Sequence, residues 1–191
     1  MDGNSLVNIE RRTFMKGAAL SALTFTVGGA EVLLTPAEAH SQGVPLKVLG
    51  ADEAAALEAL GDTLLPGAKD AGIVNYVDLQ LSVEPGDCLL TARTVGVPPP
   101  YAGFYHGALT ALDQASLTLH KAKFATLAEE KRHAFVDQMR QSNPDGWQGP
   151  PAPFVYFLIR SDAVDVYYGT VEGFERLGVP YMPHILPKRK W

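Results

Sequence analysis

Tyr101-Ala102-Gly103-Phe104-Tyr105-His106-Gly107-Ala108-Leu109-Thr110-Ala111-Leu112-Asp113-Gln114-Ala115-Ser116-Leu117-Thr118-Leu119-His120 is an unbroken run without a proline. Within it Tyr101, Tyr105, Ala108, Leu112, Ala115 and Leu119 recur at alternating steps of four and three. At 3.6 residues per turn those steps place all six on one stripe, the seam by which a bundle helix meets its neighbours. An isolated helix gains little from such a stripe, so the rest of the chain has to supply covering helices.

Upstream, Ala51-Asp52-Glu53-Ala54-Ala55-Ala56-Leu57-Glu58-Ala59-Leu60 joins strong helix formers to acids in the first turn, where the helix dipole favours them. Leu57, Leu60, Leu64 and Leu65 make its apolar stripe, and Pro66-Gly67 ends it. A short helix is expected over residues 75–83, with Val74, Tyr76, Val77 and Leu81 giving a partial stripe before Pro85-Gly86. Residues 87–100 fit no period, and Pro98-Pro99-Pro100 closes them as a stiff extended piece.

Downstream, Thr126-Leu127-Ala128-Glu129 reads as a capping box that starts a fourth helix, with Leu127, Ala134, Phe135 and Met139 on its buried side. Asn143-Pro144-Asp145-Gly146 ends it in turn chemistry. Phe154-Val155-Tyr156-Phe157-Leu158-Ile159 suits a buried strand or the start of a central helix. We assign helix, because prolines precede it and little turn chemistry follows before Gly169. The fold expected is all-α: an irregular bundle of about five helices with a Gly/Pro-rich C-terminal tail.

Composition narrows the function. The chain has 191 residues, 16 Lys+Arg against 21 Asp+Glu, and a formal charge of −5. Apolar residues make up 47%, enough for a core. No basic stripe is present to neutralise phosphates, which argues against nucleic-acid binding. The one cysteine, Cys88, excludes an internal disulfide, a multi-cysteine zinc or iron–sulfur site and c-type haem attachment.

The N-terminus has a separate logic. Glu10-Arg11-Arg12-Thr13-Phe14-Met15-Lys16 precedes an apolar stretch over residues 17–30, and Ala37-Glu38-Ala39 supplies a small-x-small cleavage site. Charged, apolar and cleavage regions in that order describe an export signal. The pair Arg11-Arg12 with Phe14 and Lys16 marks the twin-arginine version. Lys16 and Glu31 bracket too short a stretch to cross a bilayer, which needs about 20 residues; the other reading is a short anchoring helix. The divisions expected are a leader over 1–39, a linker over 40–50, a helical domain over 51–187 and a basic tail over 188–191. The twin-arginine address implies the twin-arginine translocase as a partner and a periplasmic destination.

A search for chemistry returns little. There is no G-x-G-x-x-G before a helix, no P-loop, no G-x-S-x-G elbow and no H-E-x-x-H. His106 suits a metal or haem ligand or, more simply, a helix-surface or hydrogen-bonded histidine. Cys88 has no basic neighbour to lower its pKa and reads as a small buried side chain. Asp162 and Asp165 stand two and five residues from Arg160, off the spacings that pair side chains along a helix. No catalytic, cofactor-binding or metal-binding residue is assigned. Tyr167, Tyr168, Phe174, Tyr181 and Trp191 are the candidate partner interface; the alternative is that these aromatics pack on the chain's own bundle.

The helical region resembles subunit 3, the small gamma-type subunit, of gluconate 2-dehydrogenase complexes. The stretches that carry the resemblance are 57–67, ending Leu64-Leu65-Pro66-Gly67, then 71–78, 105–113, 124–127 and 167–181. They cover roughly residues 46–187 in the family's order. The resemblance implies a subunit with no cofactor of its own. It implies two partners: a flavoprotein large subunit that holds FAD and oxidises a sugar or sugar acid, and a multihaem cytochrome subunit with haem c. It also implies help in maturation and export of the flavoprotein. The rival expectations are a free-standing exported enzyme, with a site around His106 and Asp113, and an exported binding module.

Overall fold

The structure, a computed structural model, describes residues 23–179. A β-hairpin of β1 (Leu23–Val27) and β2 (Ala30–Leu34) leads into α1 (Pro36–Ser41). There follow α2 (Ala51–Leu64), α3 (Ile73–Ser82), the single turn α4 (Thr91–Thr94) and α5 (Ala102–His120). A 3-10 turn at Phe124–Thr126, α6 (Glu129–Gln141), α7 (Ala152–Tyr168) and α8 (Val171–Arg176) complete the described residues. No helix among the described residues is long and apolar enough to cross a membrane.

The all-α expectation holds, with α2 at the centre. It packs against α3, α5, α6 and α7 and against the 3-10 turn. Leu57 and Leu60 of α2, Tyr105 and Leu112 of α5 and Leu158 and Ile159 of α7 are wholly buried. The seam of α5 is buried from Tyr101 to Ala115; Leu119, a turn beyond the cover, is exposed. Prolines precede α7 as the sequence suggests, and its first turn is tied by Asn143, whose Oδ1 accepts the N–H of Ala152 at 2.7 Å.

Three features depart from the sequence reading. The capping box at Thr126 does not form. Phe124 is drawn fully into the core, its N–H donates to Asp113 Oδ1 at 3.0 Å, and the chain turns there as a 3-10 helix. Helix α6 therefore starts three residues later, at Glu129. Residues 40–50, read as a polar linker, bury Val44 and Leu49. The N–H groups of Lys47, Val48 and Leu49 all donate to the carboxylate of Asp78 at 2.8 Å.

The third departure concerns the region set apart as a leader, which contributes structure from Leu23 onward. Gly28 and Gly29, both at positive φ, make the two-residue turn that joins β1 to β2. Phe25, Leu34, Ala39 and Val44 form a small second core with Leu79 of α3. Arg11, Arg12, Phe14 and Lys16 lie outside the described residues, as do Tyr181 and Trp191.

Candidate functional site

The candidate aromatic interface gathers where α7 passes into α8. Helix α7 ends at Gly169, and Thr170 caps α8 by accepting the N–H of Gly173 on its side-chain oxygen. That tight turn folds Arg176 back over the ring of Tyr167, 4.8 Å from its centroid, a cation–π arrangement. Tyr168 meets Tyr167 edge-on with centroids 4.8 Å apart. Phe174 is half-buried on α8.

Tyr167 also lies against the turn after α2. Gly67 has φ +94°, and a Cβ there would stand 2.7 Å from Tyr167 Cε2, so only glycine admits the ring. The turn is held by Asp62 Oδ1, which accepts the N–H of Gly67 at 2.9 Å. Pro66-Gly67 is thus both the stop of α2 and the seat of an aromatic from α7. Of the two sequence readings of these aromatics, packing on the chain's own bundle describes Tyr167. Tyr167 packs on its own fold, yet it also borders a cavity of about 480 Å³ with Asp70, Arg176 and α1 residues Pro36, Ala37 and Glu38.

The outer face of α7 carries Phe157 and Val164, 46% and 38% exposed. Seven residues apart, they share one side of the helix. Leu177 and Val179, just after α8, are exposed too. Phe157 is one of the C-terminal aromatics that the sequence offers for an interface or for the core, whereas Val164, Leu177 and Val179 carry no sequence sign of exposure.

A polar cluster lies inside the bundle. Asp162, with no exposed surface, accepts the Tyr105 hydroxyl on Oδ2 at 2.5 Å and the Thr91 N–H on Oδ1 at 3.0 Å. Burial pushes its carboxyl up to about 6, against the downward pull of both hydrogen bonds. Burial and the charge of Asp162 hold the Tyr105 phenol well above its ordinary value. The Tyr76 hydroxyl nearby is buried without a hydrogen-bond partner among the described residues, and burial raises its pKa as well. Cys88 is buried, and desolvation shifts its thiol upward, away from the reactive thiolate. The cluster ties α4, α5 and α7 together. Its groups face one another rather than a solvent-open cleft.

His106 and Asp113 are not brought together. They stand about 10 Å apart along α5, and each has its own partner. His106 Nδ1 meets Glu53 Oε1 of α2 at 2.6 Å, while Asp113 anchors the 3-10 turn. Among the described residues no group of three or more His, Cys, Asp or Glu is placed to hold a metal ion.

Fold and surface together describe a small helical protein with apolar and aromatic side chains open on one helix and at its end. The family described as Gluconate 2-dehydrogenase subunit 3 matches residues 51–185, well over half of the chain, and the chain belongs to that family. No match was found among curated proteins or among solved structures. As a subunit family, it implies a multi-subunit assembly.

Proposed function

We propose that this chain is the non-catalytic small subunit of a periplasmic flavin-dependent sugar or sugar-acid dehydrogenase, and that it assists maturation and twin-arginine export of the catalytic subunit. The family match over residues 51–185 carries the reading. The twin-arginine motif at Arg11-Arg12 and the open apolar surface of α7 support it. On this reading the flavoprotein holds FAD, a multihaem cytochrome c subunit takes the electrons, and this chain grips the flavoprotein and supplies the export address for both.

A stable grip buries about 1,600 Å² in total. Phe157, Val164, Tyr167, Tyr168 and Phe174 offer part of it, with Tyr181 and Trp191 as further contributors.

Fractionation of cells that express this chain with its flavoprotein tests the proposal. With the native chain the flavoprotein is expected in the periplasm. With Arg11→Lys and Arg12→Lys together, both chains are expected to stay in the cytoplasm. A flavoprotein exported equally well without this chain overturns the export role.

A further inference from the structure

Ala37-Glu38-Ala39 has the sequence of a peptidase site but not the conformation of one. Proteolysis requires an exposed segment that can open and lie extended in the protease. Here the stretch is helical. Thr35 and Glu38 close a reciprocal capping box around it, Glu38 N–H to Thr35 Oγ1 at 3.0 Å and Thr35 N–H to Glu38 Oε2 at 2.7 Å. Ala39 has no exposed surface. Its carbonyl, the one a cut before His40 would attack, accepts the N–H of Val44 at 3.0 Å.

The segment is also docked. Gly72, at φ +80°, comes so near α1 that a Cβ there would stand 2.1 Å from the Pro36 carbonyl oxygen. Phe25, Leu34 and Ala39 fill the small core with Val44 and Leu79. Losing residues 1–39 would strip three of those five side chains away and leave Leu79 of α3 wet. Residues 23–50 precede the family-matched stretch, yet they are packed onto it through Leu79 and Asp78.

We infer that folding closes the Ala37-Glu38-Ala39 site, so that a chain folded before export keeps residues 23–41 as a structural element and is not cut after Ala39. The inference concerns the leader in the export reading above and rests on that reading for its biological setting. The closure itself is a property of the folded chain.

The test uses the purified full-length chain and a synthetic peptide of residues 17–45, each incubated with leader peptidase in detergent micelles and followed by mass spectrometry. The peptide is expected to be cut between Ala39 and His40. The folded chain is expected to be cut about 100-fold more slowly or not at all, because cleavage tracks the small population of the opened form. Leu79→Glu, which leaves the site's own sequence intact, is expected to restore cutting while circular dichroism shows the helices retained. Cutting of the native chain at the peptide's rate overturns the inference. So does an uncut peptide, since there is then no site for folding to close. No arm crosses a membrane, so failure here is separate from failure of the export reading, which fractionation alone decides.

Discussion

Asp162 shows how one side chain ties distant parts of the chain and sets a pH response. Desolvation keeps its carboxyl near 6, whereas the unfolded chain releases that proton near the ordinary value of about 4. Between those values the folded form holds a proton that the unfolded form has lost. Stability therefore declines as pH rises through the window, by about 3 kcal/mol in all. Asp162→Asn removes the titration and can still accept the Thr91 N–H. Urea midpoints at about pH 4 and about pH 7 should show the native chain losing stability relative to the variant; parallel behaviour would refute the assignment. Only part of this was legible in the sequence. The spacing of Asp162 from Arg160 excluded that partner, but its actual partners come from 57 and 71 residues away, beyond any local pattern. Asp78 was equally hidden, a carboxylate in an apolar helix whose three donors lie in a stretch that reads as linker.

Helices with a strong period were the legible elements. Ala51–Leu64, Ala102–His120 and Ala152–Tyr168 follow the stripes and stops in the sequence closely, because their burial demands and their local preferences agree. Where tertiary demand opposed local chemistry, the local sign failed. The capping box at Thr126 lost to the burial of Phe124. The β-hairpin lost its sign differently: Gly28-Gly29 between Thr24, Phe25, Thr26 and Val32 is hairpin chemistry, masked by the apolar, signal-like stretch around it. Element packing also sets a steric prediction. The segment before α7 crosses α5 so closely that a Cβ on Gly149 would lie 2.7 Å from Ala111 Cβ and 2.8 Å from the Gly107 carbonyl oxygen. Gly149→Ala should force the two apart and cost about 1–3 kcal/mol by chemical denaturation. An unchanged midpoint would mean that the crossing is looser than described.

For the whole molecule, the core is closed around α2 while apolar surface remains open along α7. Phe157 and Val164 contribute little to the chain's own stability, so Phe157→Asp with Val164→Asp should shift thermal unfolding only slightly. The same pair should weaken co-purification of the proposed flavoprotein partner at least about tenfold if this face is in the interface; an unaltered yield would move the interface elsewhere. Fold class and family were readable from the order of the helical stretches. The docking of residues 23–41 was not, since it depends on which face of α3 stays uncovered once the bundle has formed. The clasp of Asp78 on three successive amides gives the stretch that follows this segment a signature in heavy water. Loop amides ordinarily trade their hydrogens for deuterium within moments, but those of Lys47, Val48 and Leu49 are held by a carboxylate rooted in a helix. They should exchange only when α3 itself lets go, making a stretch without secondary structure one of the slowest clocks in the protein.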